Sequence, residues 1–190
     1  MKENLKKAVQ AVKQAFSVEE HAFRGHVTLI VGREDIVDIC IMLRDDHQFT
    51  KLTDETCVDY YLRKTPRFHV VYQLHSIGED LRLWLRAPVP EEDPVISSLV
   101  EVYPNANWYE REIFDLFGVR FEGHPNLKRI MLSEDWEGHP LRKDIPVKVE
   151  ESRFSFNWEE VDLAKNYIQR EQDIPPGEED LTEKDGGITT

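Results

Sequence analysis

Three strand-like runs follow one another between Cys57 and Ala87, and they restrict the fold more than any other feature of the chain. They are CVDYYL, RFHVVYQLHS and LRLWLRA. A Lys64-Thr65-Pro66 break separates the first two, and the turn Ile77-Gly78-Glu79-Asp80 separates the second and third. Runs rich in β-branched and aromatic residues, joined by breaks this short, predict an antiparallel meander.

Helical patterns precede the meander. Leu5, Ala8, Val9, Val12 and Phe16 recur at helical spacing, HVTLIV at His26–Val31 reads as a strand, and Ile36, Ile39, Cys40 and Leu43 form a second helical stripe. Helix, strand, helix and then strands imply an α+β fold, an antiparallel or mixed sheet covered by helices. Pro88 to Pro94 reads as a rigid loop, and VISSLVEVY after it as a short helix. WYEREIFDLF is predicted as the next helix, capped by Asn105 or Asn107 and stopped by Gly118. The predicted organisation is an α+β domain over 1–122, an extended docking arm over 123–149 and an acidic, partly disordered C-terminal tail over 150–190. Residues 149–190 hold 12 acidic and 4 basic side chains, a net of −8 out of the chain's −13. Such a charge run reads as a solvated end, after one short helical stretch around Trp158, Val161 and Tyr167.

That net charge argues against nucleic-acid binding. No apolar run approaches the roughly 18 residues that span a bilayer, and MKENLKKAVQAVKQAF is too polar for a signal peptide. A cytosolic-side location is therefore expected. Cys40 and Cys57 form neither a C-x-x-C pair nor an iron–sulfur spacing, and read as buried thiols. No P-loop, nucleophile elbow or G-x-G-x-x-G occurs.

The chemistry-bearing residues gather in and after the WYEREIFDLF helix. At about 100° per residue, Tyr109, Ile113, Phe114, Leu116 and Phe117 share an apolar arc, and Glu110 falls inside it. A carboxylate there needs a cation or N–H donors. Arg129, Arg142 and Lys143 are the candidate cations; the other reading leaves Glu110 at the helix start, near solvent. Arg111 and Asp115 lie opposite the arc and are spaced to pair at i,i+4. Glu-Gly-His-Pro occurs at Glu122–Pro125 and Glu137–Pro140. His124 and His139 read as parts of two similar turns rather than metal ligands, because no third ligand at helical spacing accompanies them. Trp108, Trp136, Tyr109 and Phe121 read as packing or partner-anchoring aromatics. The interleaved Ile130, Met131, Leu132, Trp136 and Leu141 predict an arm that leaves the body and lies across a partner.

The segment EREIFDLFGVRFEGHPNLKRIM resembles the signature of the 30 kDa (C-type) subunit family of bacterial respiratory complex I, the NADH–quinone oxidoreductase. The matching positions are Glu110-Arg111-Glu112, Asp115-Leu116-Phe117, His124, Lys128, Ile130 and Met131. The flanks from Leu52 to Pro146 look like that family as well. The resemblance implies a place in the peripheral arm beside the hydrogenase-like, D-type partner, near the quinone site, on the cytoplasmic side of the bacterial inner membrane. It implies no catalytic residue and no cofactor in this chain, with FMN and iron–sulfur clusters in partner subunits. Glu110, Arg111, Glu112, Asp115, His124, Lys128, Arg129, Trp136, His139, Arg142 and Lys143 then become candidate structural or interface residues. An equivalent subunit of a membrane-bound hydrogenase or a ferredoxin-linked relative of complex I is the alternative.

Overall fold

The computed structural model describes residues 3–145; the end of the expected arm, 146–149, and the expected tail lie outside them. Helix α1 (Glu3–Ala15) turns Leu5, Ala8, Val9 and Val12 inward, as their spacing requires. Strands β1 (Glu19–Phe23) and β2 (His26–Ile30) form a hairpin around Arg24-Gly25. Both loop residues have positive φ, 50° and 84°, which matches the twist of a two-residue hairpin. Helix α2 (Ile36–His47) leads to β3 (Lys51–Asp59), β4 (Phe68–Ser76) and β5 (Leu81–Val89).

The five strands form one sheet in the order β1-β2-β5-β4-β3. The meander β3–β4–β5 is antiparallel, while β2 pairs parallel with β5. The sheet is therefore mixed. Alternation along β4 and β5 buries Phe68, Val70, Tyr72, Leu74, Leu81, Leu83, Leu85, Ala87 and Val89. These residues join the inward side chains of α1, α2 and helix α3 (Ala106–Phe117) in one core.

Four sequence expectations change. The first meander strand begins at Lys51 and ends at Asp59, so Tyr60–Leu62 belong to the turn. Pro88 lies inside β5, not in the loop after it. VISSLVEVY is not a helix: Val95–Ser97 forms β6, which pairs parallel with β7 (Arg120–Glu122), and turns follow. Ile96, Leu99, Val102 and Tyr103 are buried as their spacing suggests, yet strand pairing satisfies the first part of the backbone. Residues 123–145 do not leave the body. They fold back along α3 within the same compact unit.

Candidate functional site

Helix α3 organises the returning segment. Asn105 precedes it, but the side chain makes no cap and instead donates to the Leu52 carbonyl at 2.7 Å. Gly118 ends it with φ 78°, its N–H donating to the Phe114 carbonyl at 3.0 Å. The His139 ring crosses so close that a Cβ on Gly118 would sit 2.6 Å from Cδ2. Gly118 is thus required by backbone conformation and by this approach. The His139 Nδ1–H donates to the Asp115 carbonyl at 2.9 Å, and the Leu141 N–H donates to the Leu116 carbonyl at 3.1 Å.

Asp115 is the anchor. Its carboxylate is fully buried. One oxygen accepts three consecutive N–H groups, from Ile130, Met131 and Leu132, at 3.0, 2.8 and 2.9 Å. The other accepts the Arg129 guanidinium at 2.6 Å. Burial alone would raise the carboxyl's pKa; the Leu132 N–H, the Arg129 guanidinium and the Met131 and Ile130 N–H groups outweigh it and hold the group below its ordinary value. Arg129 also donates to the carbonyls of Trp136 and Gly138 at 2.9 and 3.1 Å. Arg111 donates to the carbonyls of Lys128 and Arg129, both at 3.0 Å, with its guanidinium over Trp108. His124 accepts the Asn126 N–H at Nδ1 and donates from Nε2 to the Asn107 carbonyl, so one neutral tautomer satisfies both partners.

A second anchor holds the end of the segment. Asp59, on the last residue of β3, takes Arg67 through two bonds of 2.9 and 2.8 Å and the Lys143 N–H at 2.9 Å. Arg67 is buried over Tyr61 and Phe68, and also binds Asp144 at 2.8 Å and Glu91. Arg142 approaches Glu91 and Asp144, both at 3.5 Å. Burial opposes ionisation of Asp59, but Arg67 and the Lys143 and Tyr61 N–H groups bring its pKa down to about 2.

Glu110 sits on the other side of α3 and is fully buried. Its carboxylate accepts the Leu99 N–H and the Ser98 hydroxyl, each at 2.6 Å. Burial nevertheless raises its pKa against those two bonds.

Of the site residues named from sequence, Arg111, Asp115, His124, Arg129, Trp136, His139, Arg142 and Lys143 line this seam. Two pairings differ from expectation. Asp115 is buried and binds Arg129 and backbone N–H groups; Arg111 goes to carbonyls instead. Arg129, Arg142 and Lys143 do not neutralise Glu110. Lys128 and Lys143 contribute backbone groups while their residues stay exposed, as does Glu112. Sequence reasoning missed Asp59, Arg67 and Glu91. Only an acidic residue inside the expected CVDYYL strand and an arginine opening the next hinted at the first two. Around the seam Trp108, Met131 and Leu141 are exposed by 58%, 65% and 51%.

These carboxylates are occupied by structural donors, and no group of three His, Cys, Asp or Glu side chains suited to a metal occurs among the described residues. The geometry is that of a packing seam with apolar side chains on its outer side. The chain belongs to the family described as respiratory-chain NADH dehydrogenase, 30 Kd subunit, whose model matches residues 29–151. It is 47% identical over 145 residues to the C-type NADH-quinone oxidoreductase subunit of Geobacter sulfurreducens, covering 75% of this chain and 90% of that protein. Its counterpart in Roseiflexus castenholzii, of the same name, is 46% identical over 148 residues, 77% of this chain and 85% of its own. Among solved structures, a trypsin-resistant fragment (1-134) of Nqo5 is 31% identical with a TM-score of 0.58, covering 65% of this chain and 99% of the fragment. A chain of an archaeal membrane-bound sulfane sulfur reductase shares the fold at 21% identity, TM-score 0.68, over 98% of this chain and all of that one.

Proposed function

We propose that this chain is a scaffold in the peripheral arm of NADH–quinone oxidoreductase, and that its seam docks on the hydrogenase-like, D-type partner near the quinone site. It supports electron transfer from NADH to quinone, and the proton translocation coupled to it, without a redox group of its own. FMN and the iron–sulfur clusters belong to partner subunits, and the complex sits on the cytoplasmic face of the inner membrane. No helix among the described residues is long and apolar enough to cross a membrane, so membrane association runs through partners.

The observation that carries this reading is the family match, because it spans the whole seam up to Ile145. The physical sense of the seam agrees with it. An irregular segment pinned by two buried carboxylates presents Trp108, Met131 and Leu141 in a fixed arrangement, which lowers the ordering cost of docking. Aromatic and apolar anchors flanked by cations suit a protein partner. A hydrogenase or ferredoxin-linked complex would use the same seam, but the bacterial relatives carry the NADH–quinone name.

Affinity capture of the tagged full chain from native membranes, read by mass spectrometry, tests this. The hydrogenase-like partner and the membrane-arm subunits should co-purify, and Trp108→Ala with Met131→Asp should reduce their recovery. Recovery of the chain as a free monomer under mild lysis would refute the reading.

A further inference from the structure

Beneath α3 lies a second carboxyl group that the seam does not use. Glu55 is on β3, where the pleat places Leu52, Glu55, Cys57 and Asp59 on the core side. It is 4% exposed, and among the described residues neither carboxyl oxygen has a hydrogen-bond partner. Across the sheet its register partner is Tyr72, fully buried, whose hydroxyl is likewise without a partner among the described residues. Among the described residues, the titratable groups that act on this corner are acids: Asp54 and Cys57 from β3, Tyr72 from β4, Cys40 from α2 and Glu110 from α3. No salt bridge reaches Glu55 or Glu110 among the described residues, although Arg129 and Arg67 serve other carboxylates nearby in sequence.

An ionised carboxylate in such a place would be a buried charge with neither cation nor donor, which proteins avoid by keeping the group neutral. The two acids differ in what they are offered. Glu110 has two donors, the Leu99 N–H and the Ser98 hydroxyl, which favour its charged form. Glu55 has none. We propose that Glu55 and Glu110 form a buried proton-holding pair between β3 and α3, in which Glu55 keeps its proton at neutral pH and Glu110, the one supplied with donors, ionises first. Burial first, then the charges of Glu110 and Asp54, push Glu55 well above the ordinary glutamate range, in agreement with this assignment.

The pair acts as a pH-sensitive joint under the helix that carries Asp115 and the seam. While Glu55 keeps its proton, α3 rests on a neutral surface. Loss of that proton puts a second negative charge against Glu110 and loosens the packing of α3 on β3. The sign follows from linkage. Below the ordinary glutamate pKa, about 4.3, folded and unfolded chains both hold the proton. As pH rises above that value the unfolded chain releases it and the folded chain retains it, so stability falls until the folded group ionises as well.

The test uses the full chain and Glu55→Gln, with urea unfolding measured at pH steps from 5 to 9 and infrared spectra at pH 7. The ratio of the wild-type to the variant folding constant should fall with pH, approaching about tenfold per unit. The wild-type spectrum should contain an un-ionised carboxylic acid band that Glu110→Gln keeps and Glu55→Gln loses. Parallel pH profiles for wild type and Glu55→Gln would overturn the proposal. So would a wild-type spectrum without that band at pH 7, a result that stands even if the variants fail to fold.

Discussion

The two sides of α3 bury carboxylates in opposite ways. On the seam side, Asp115 is surrounded by three N–H groups and a guanidinium, and its pKa is held down. On the sheet side, among the described residues, Glu110 has two donors and Glu55 has none, and both are pushed up. Burial is complete or nearly so in all three. Donors decide the charge state, and the charge state decides what each side does: the seam side fixes a chain segment, and the sheet side holds a helix on an uncharged surface.

The largest effect should come from breaking the seam side. Asp115→Ala strands Arg129 and three backbone N–H groups at once, a loss of about 3–5 kcal/mol by analogy with other broken buried pairs. Limited proteolysis should then cut within residues 123–145 while the β-sheet core survives. Asp115→Asn keeps one acceptor oxygen and should lose less. The same anchors set the acid limit of the fold. Asp59, with a pKa near 2 against about 3.9 unfolded, contributes stability that is complete above pH 4. That contribution disappears as pH falls towards 2, and Asp59→Asn should flatten this limb of an acid-unfolding curve.

On the sheet side the expected losses are smaller. Glu110→Ala leaves the Leu99 N–H and the Ser98 hydroxyl unpaired, worth about 1–3 kcal/mol. The sequence alone suggested the larger cost of stranding a buried cation, and no such cation is present among the described residues. Glu110→Gln should cost less, since the amide oxygen still accepts. Differential scanning calorimetry of the two variants ranks them. Smallest of all should be Lys128→Ala, within about 0.5 kcal/mol of wild type, because only the backbone of Lys128 is used.

Much of this contrast was beyond reach from sequence, and the reasons are physical. Strong periodicity revealed α1, α2, β2, β4, β5 and α3, and Gly118 marked the end of α3. Strand β1 has the exposed sequence EEHAF and owes its place to pairing with β2, so no apolar alternation announces it. The first half of β3 hides for a related reason: Thr53, Asp54, Glu55 and Thr56 look like a loop, and Glu55 points inward where an apolar residue is expected. The parallel β2–β5 pairing and the short β6–β7 sheet join residues far apart in the chain. At the seam, the helical wheel placed Asp115 on the solvent side, and the wheel was right for an isolated helix. The returning segment covers that side, and nothing local in EREIFDLF says so.

As the scaffold proposed above, this side of the molecule would support assembly and leave the redox chemistry to partner subunits. Turnover per assembled complex in membranes carrying Asp115→Ala or Glu110→Ala, normalised to flavin or iron–sulfur content, separates that role from a catalytic one. A scaffold role gives less assembled complex, with nearly normal NADH–quinone turnover in each complex that forms. Normal assembly with quinone reduction abolished would contradict it and place these carboxylates in the catalytic machinery.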